Sequence, residues 1–163
     1  MVDVRAAEPR DLEAMAALAN ALLATTTIEW TDVPHTAEGR AAWVADHEVV
    51  LVAVEGDDLL GFAAYGDFRD ATKWPGYRFV VEHTVHVRQD QWGTGVGRVL
   101  MDALVDRAKA AGKRVMVAAV DGENDASIRF HERLGFVPVA RMPGIGFKLD
   151  RWLDLVLLQR SLD

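Results

Sequence analysis

The pattern of apolar and polar positions along the chain predicts strands and helices in alternation. Apolar and polar residues alternate over residues 2–6, which predicts a short first strand. After Pro9, apolar residues recur at helical spacing over residues 12–22, which predicts an amphipathic helix. Residues 24–34 include a run of threonines and end in a proline, so they predict a loop. A second helix is expected to begin near Thr36, because threonine is a favoured N-cap residue.

Three further strands are predicted before the middle of the chain. Residues 49–55 and 59–68 are mostly apolar and flank the turn sequence at 56–58, which predicts a β-hairpin. A polar loop over residues 69–77 then leads into residues 79–87, where β-branched and aromatic side chains predominate. This segment is predicted to be the central strand of the fold.

The central strand is followed by a glycine-rich turn over residues 93–97 and by an amphipathic helix that ends at Gly112. Residues 115–120 are an almost continuous apolar run, which is typical of a strand covered on both faces. A strand, a crossover helix and a second strand predict two parallel strands in one sheet with a right-handed connection.

The last part of the chain predicts one helix and two strands. Asn124 is a predicted N-cap, and the helix it starts ends at Gly135. Residues 136–141 and 152–160 predict strands joined by a glycine-rich loop. The elements predict a single domain over residues 1–163, of α/β or α+β class, with a mixed, mostly antiparallel sheet of about seven strands, a parallel central pair and helices on both faces.

Composition narrows the classes of function. With 163 residues, half of them hydrophobic, the chain is long enough to bury a core of its own. No apolar run is long enough to cross a bilayer, so a cytoplasmic protein without a membrane partner is expected. The absence of cysteine excludes disulfides and a thiol nucleophile. A formal charge of −7 disfavours nucleic acid and anionic membranes as partners.

The glycine-rich turn is a candidate phosphate-binding site. Glycines let the backbone approach an anion, and the free N–H groups at a helix start point towards it. A P-loop is excluded because Arg98 and Val99 stand where lysine and a hydroxyl residue are needed. A dinucleotide-binding turn fits less well because Arg98 occupies a position that needs a small residue. Asp121, at the end of the next strand, keeps that alternative open as a ribose-binding acid.

Two segments resemble motifs of the GNAT acetyltransferase superfamily. Residues 87–97 resemble its acetyl-CoA pyrophosphate loop, with Trp92 where the family usually has Arg or Gln, and residues 124–136 resemble its second helix and turn. The central Val-Glu-His-Thr-Val strand and the tail over residues 144–155 resemble the branch that acetylates phosphinothricin and methionine sulfoximine. The resemblance implies acetyl-CoA as cosubstrate, with backbone N–H groups of the turn holding the phosphates. It assigns cofactor binding to Thr84, Val85, His86, Val87, Trp92, Gly93, Thr94, Gly95, Val96, Gly97, Asn124, Ser127 and His131.

Two candidate catalytic residues follow from the strand pattern and the resemblance. Glu82, Thr84 and His86 are expected on one face of the central strand, and His83 on the other. A solvated polar face is the simpler explanation, but a carboxylate in a covered strand suits a general base that deprotonates an ammonium substrate. The resemblance gives Glu82 this role. It makes His131 a candidate general acid or cofactor donor, against the alternative of a histidine packed into the core. No metal is expected, because His83 and His86 lie on opposite faces.

The acceptor site is expected on two loops beside the central strand. Arginine suits bidentate recognition of a carboxylate, although a solvated surface role is the alternative for each arginine. The resemblance assigns acceptor binding to Glu29, Trp30, Arg69, Trp74, Tyr77, Arg78, Glu82 and His83. Lys148 and Trp152 in the tail are interpreted as either structural, interfacial or substrate-binding residues.

The leading hypothesis is an acetyl-CoA-dependent N-acetyltransferase that acts on the α-amine of a small amino-acid-like molecule by direct attack in a ternary complex. Acetylation of a protein N-terminus or a polyamine is an alternative, and a noncatalytic acyl-CoA-binding sensor is another. The resemblance also implies a homodimer. The outer elements offer apolar residues for an interface, although some of them must belong to the core: Trp30, Val33, Trp43, Leu153, Leu155, Leu157 and Leu158.

Overall fold

A computed structural model describes all 163 residues. Seven strands form one sheet in the order β1-β2-β3-β4-β5-β7-β6. The strands are β1 (Asp3–Ala6), β2 (Val49–Glu55), β3 (Asp58–Asp67), β4 (Val80–Val87), β5 (Val115–Asp121), β6 (Val137–Lys148) and β7 (Arg151–Ser161). The α-helices are α1 (Leu12–Leu23), α2 (Ala37–Asp46), α3 (Val96–Ala110) and α4 (Asp125–Arg133). The predicted mixed α/β fold is confirmed, because only β4 and β5 pair in parallel.

The parallel pairing is short, and this creates the opening in which the candidate site lies. β4 pairs with β5 only from Val80 to Glu82, opposite Val115 to Val117. Beyond that point β4 runs on to Val87, where it pairs only with β3. The edge of β4 that faces β5 is therefore free of backbone partners over residues 83–87.

Apolar side chains fill both faces of the sheet. One cluster contains Val81, Leu100 and Met116 and covers the face under α3, and the other contains Met15 and Phe62 and covers the face under α1. The predicted alternation along β4 is confirmed because its two histidines contact opposite layers. The ring of His86 stacks on Phe62, and the ring of His83 contacts Phe136.

The prediction of a glycine-rich loop between the last two strands is wrong. β6 continues to Lys148, and only Leu149 and Asp150 separate it from β7. Both residues have positive φ, 51° and 57°, as a tight two-residue hairpin turn requires. The register shifts between Met142 and Gly146, so a bulge accommodates the glycines within an edge strand.

The structure separates the apolar residues of the outer elements into core and surface positions. Leu153 and Leu158 are fully buried in the sheet. Trp43 packs against the cluster under α1, whereas Val33 is exposed. Leu158 shares one face of β7 with Val156, and both belong to the cluster under α3. No helix in the structure is long and apolar enough to cross a membrane.

Candidate active site

A cavity of about 780 Å³ opens where the pairing of β4 and β5 stops. Its floor is the stretch of β4 from Glu82 to Val87, and residues 119–121 of β5 form part of the opposite wall. The glycine turn, α4 and the loop residues Thr27, Ile28 and Trp30 complete the lining. One continuous space therefore joins the candidate phosphate turn to the candidate base.

The glycine turn presents unpaired amides to this cavity. Gly93 and Gly95 have φ of 77° and 98°, and a side chain at either position would project into open space. Gly95 is the N-cap of α3, and no backbone acceptor bonds the N–H groups of Gly95, Val96, Gly97 or Arg98. Orphan amides at a helix start form an anion site, so the turn suits a pyrophosphate.

The third glycine of the turn has a different reason to be small. A Cβ on Gly97 would lie 3.2 Å from the ring of Phe130, which lies on α4. Gly97 thus lets α3 and α4 approach closely beside the cavity.

Trp92, just before the turn, donates its indole N–H to the carbonyl of Val87 at 2.9 Å and stays half exposed. Its side chain closes the turn after β4 and leaves the amides of the α3 N-terminus open.

Glu82 lies on β4 at the last position that pairs with β5 and lines the cavity. Its carboxyl group is half buried and makes no hydrogen bond or ion pair with the protein. Burial alone raises the pKa of this carboxyl group. An unpaired carboxylate with a raised pKa is suited to accept a proton from a bound substrate.

His131 and His83 form a buried pair beside the cavity. The Nδ1 atom of His131 lies 2.7 Å from the carbonyl oxygen of Ser127, so Nδ1 carries the hydrogen. Its Nε2 atom lies 3.1 Å from Nε2 of His83, which therefore donates. Burial lowers the pKa of both imidazoles, most strongly for His83. In this arrangement both nitrogens of His131 are engaged within the protein.

The loop before α2 is held against the cavity by long-range contacts. Lys148 is buried and donates Nζ hydrogen bonds to the carbonyls of Thr26 and Glu29 at 2.8 and 2.6 Å. The Thr27 hydroxyl donates to Asp121 at 2.6 Å. The ring of Trp30 packs directly on Gly146, where a Cβ would collide with it. The wall carrying Thr27, Ile28 and Trp30 is therefore fixed by β5 and β6.

Asp121 is not available as a ribose-binding acid. Its carboxylate accepts hydrogen bonds from Thr27 and from Arg151, which lies 2.9 Å away. The sheet also has a single three-residue parallel contact, whereas a dinucleotide-binding fold is built on a parallel sheet. Asp121 was predicted as a ribose-binding acid because it is an acidic residue at the end of a buried strand. Its contact with Thr27 was not predicted.

The carboxylate of Glu29 points into a cluster of basic side chains. It contacts Nε2 of His35, lies 3.0 Å from Nε2 of His86, and lies 4.0 Å from Nη2 of Arg40. Burial raises its pKa, but the contacts with His86 and His35 outweigh burial and lower the pKa to about 2. Glu29 is thus ionised at neutral pH.

The other predicted acceptor residues lie outside the cavity. The Arg69 guanidinium lies over the ring of Tyr77, and the Arg78 guanidinium lies over Phe79 and donates to the carbonyl of Pro75. Trp74 is more than half exposed on the same loop. Their role in acceptor binding stays a prediction.

Among known proteins, two relatives match nearly the whole chain. It is 39% identical over 166 residues to the L-amino acid N-acyltransferase MnaT of Escherichia coli, covering 99% of this chain and 95% of the relative. It is 40% identical over 165 residues to the L-methionine sulfoximine/L-methionine sulfone acetyltransferase of Pseudomonas aeruginosa, covering 98% and 94%. The resemblance to this branch is thereby confirmed.

A solved structure and a family model agree with these relatives. The structure of yncA from Salmonella typhimurium, determined with its cofactor acetyl-CoA, matches with a TM-score of 0.93 and 38% identity over 99% of this chain and 94% of that chain. Residues 15–136 match the model of the acetyltransferase (GNAT) family. The fold and the site agree with these matches, since the sheet is open between β4 and β5 and the glycine turn presents free amides. The chain therefore belongs to the GNAT acetyltransferase family.

Proposed function

We propose that this enzyme transfers the acetyl group of acetyl-CoA to the α-amine of a small amino-acid-like acceptor. The observation that carries the proposal is the unpaired, half-buried carboxyl group of Glu82 in the same cavity as the amide-lined turn. The relatives named above act on amino acids and on methionine sulfoximine or sulfone, which supports this class of acceptor.

The residues of the cavity fit acetyl-CoA. The free amides from Gly95 to Arg98 suit the pyrophosphate, and the unpaired edge of β4 suits the amides of the pantetheine arm. Thr84, Val85, His86 and Val87 lie along this edge, and Asn124, Ser127 and His131 line the facing wall on or beside α4. No metal is needed for this binding mode.

Glu82 is the proposed base. It takes one proton from the acceptor ammonium, directly or through a water molecule, and the neutral nitrogen attacks the thioester carbonyl. The new C–N bond forms, the C–S bond breaks, and the thiolate leaves. The nitrogen loses a second proton and the thiolate gains one, so the reaction releases one net proton through Glu82. Because both nitrogens of His131 are already engaged, His131 is proposed to shape the cavity rather than to protonate the thiolate.

A screen for release of free thiol from acetyl-CoA tests the proposal. Phosphinothricin, methionine sulfoximine, methionine sulfone, polyamines and peptides serve as acceptors. We expect turnover with the amino-acid-like compounds and much less with polyamines or peptides. Preferred turnover of a polyamine or peptide would contradict the acceptor class, and CoA binding without turnover of any amine would indicate a sensor.

Assembly and extent are part of the proposal. Residues 1–163 are proposed to act as one domain, since β1 and β7, near the two ends of the chain, belong to one sheet.

A homodimer is proposed through the edge strand β6, which has no partner on its outer side. Ile145 and Phe147 on β6 and Trp152 on β7 are 49%, 56% and 69% exposed, and large apolar side chains grouped in this way are typical of an interface. The cytoplasmic location stays a prediction.

A further inference from the structure

Four side chains beside the cavity form a continuous chain of polar contacts, which we call the Glu29 cluster: Arg40, His35, Glu29 and His86. Arg40 Nη2 donates to Nδ1 of His35 at 2.8 Å. Nδ1 of His35 therefore has no hydrogen, and its Nε2 donates to one carboxylate oxygen of Glu29. The other oxygen lies 3.0 Å from Nε2 of His86, which is within ion-pair distance but is not aligned as a hydrogen bond.

The Glu29 cluster connects separate parts of the fold. Glu29 and His35 lie on the loop before α2, Arg40 lies on α2, and His86 lies on β4. His86 and Arg40 are only 2% and 3% exposed, and both pack beside the ring of Phe62 on β3. Glu29 is the only carboxylate paired with Arg40. A change at Glu29 or His86 therefore alters the packing of the loop against β4.

The contact between Glu29 and His86 joins two walls of the cavity. Glu29 lies between Ile28 and Trp30, which both line the cavity, while its own carboxylate is directed into the cluster. His86 is itself part of the β4 floor. The distance between these two residues therefore sets the spacing between the loop wall and the β4 floor.

We propose, resting on the proposed function, that Glu29 and His86 are positioning residues that fix the acceptor-side wall of the cavity and so set the affinity for the acceptor. Glu29 acts through its neighbours Ile28 and Trp30 rather than by touching the acceptor. Acetyl-CoA is proposed to bind through the amides of the glycine turn and the backbone edge of β4, and not through the side chains of Glu29 and His86.

The size of the expected effect follows from the chemistry of the contact. Because the contact joins a carboxylate to an imidazole at ion-pair distance, its loss is expected to weaken acceptor binding by roughly tenfold. His86→Phe keeps a flat ring for stacking on Phe62 but has no donor for Glu29. His86→Gln keeps a donor at about the same reach, and Glu29→Gln removes the charge at constant shape.

The test compares these variants with the wild type well below their unfolding temperatures. For Glu29→Gln and His86→Phe we expect KM for methionine sulfone to rise about tenfold. The Kd for CoA, whose pantetheine arm is proposed to lie along the backbone of this part of β4, is expected to rise by a smaller factor. His86→Gln is expected to recover most of the acceptor affinity. The double variant is expected to have a KM for the acceptor no higher than that of the more impaired single variant, because both changes break the same contact. His47→Phe is the matched control, since the ring of His47 contacts Trp43 and does not line the cavity.

Hydrogen exchange of residues 24–31 in the free protein gives a second readout that needs no turnover. We expect faster exchange in Glu29→Gln and His86→Phe but not in His47→Phe. Unchanged acceptor KM, equal loss of CoA affinity, or unchanged exchange in these residues would overturn the positioning role. Failure of the wild type to acetylate any acceptor would refute the proposed function instead, and the exchange experiment would then decide on the positioning role alone.

Discussion

At the scale of single residues, Glu82 has the environment of a base and the stability cost that goes with it. Replacing it by glutamine is expected to lower kcat/KM by roughly 10²-fold or more near neutral pH. The wild-type rate should fall as pH decreases through the raised pKa of Glu82, and the defect of the variant should shrink at high pH, where the amine is already neutral. Steady-state kinetics across pH check this, with CoA affinity as the control. A near-wild-type, flat profile in the variant would show that another group takes the proton.

The same substitution tests the stability cost of Glu82. Its folded-state pKa is raised by burial, so the ionised carboxylate opposes folding at pH values above that pKa. We therefore expect Glu82→Gln to unfold at the same or a higher temperature than the wild type at pH 7. A clearly lower Tm would mean that Glu82 makes a stabilising contact in solution that compensates for its burial.

Ionisation of Glu29 affects the stability of the fold in the opposite direction to ionisation of Glu82. Its folded pKa of about 2 lies below the reference value of 4.5, so its ionised form stabilises the fold at and above pH 4.5. This contribution is expected to disappear as pH falls from about 4.5 towards 2. Urea unfolding at several pH values should therefore show a steeper acid loss of stability in the wild type than in Glu29→Gln. Parallel acid curves for the two proteins would contradict the assignment.

At the scale of an element, the turn that starts α3 gives a test of the cofactor site. Gly95→Val places a branched side chain at a φ of 98° in the space proposed for the pyrophosphate. Gly56→Val imposes comparable strain in the β2–β3 hairpin turn, where φ is 60° and the space is also open. Both variants are expected to lose stability, by about 1–2 kcal/mol, but only Gly95→Val should weaken CoA binding.

Calorimetry with CoA separates these two effects. Unchanged CoA affinity in Gly95→Val would exclude the turn as the pyrophosphate site. Tight binding of NAD to the wild type would equally contradict the assignment, because it would require a ribose contact that Asp121 is not free to make.

At the scale of the whole molecule, the proposed homodimer is tested at β6 and β7. Trp30 is unsuitable for this test, because its ring packs on Gly146 of the same chain and its loss would disturb the cavity directly. Trp152→Asp is expected to shift the mass in light scattering from a dimer to the 18.0 kDa monomer. Val99→Asp, on the exposed face of α3, is the control and should leave the mass unchanged. A wild-type monomer with full activity would rule out the dimer.

The sequence by itself determined the order of the elements, the short-range turns and the face on which Glu82 lies. These features depend on periodicity and on the φ preferences of glycine, which act over a few neighbouring residues. The edge strand β6 escaped this reasoning, because glycines inside a strand bulge have the same local composition as a loop.

Only the tertiary structure decided which distant side chains meet. The contact of Glu29 with His86, the two carbonyls bonded by Lys148, and the pairing of His83 with His131 join residues on separate elements. In the sequence of its own segment, each of these residues looks like an ordinary surface or core residue. Their roles arise from burial, which removes water and makes each polar group depend on a partner supplied by another part of the chain.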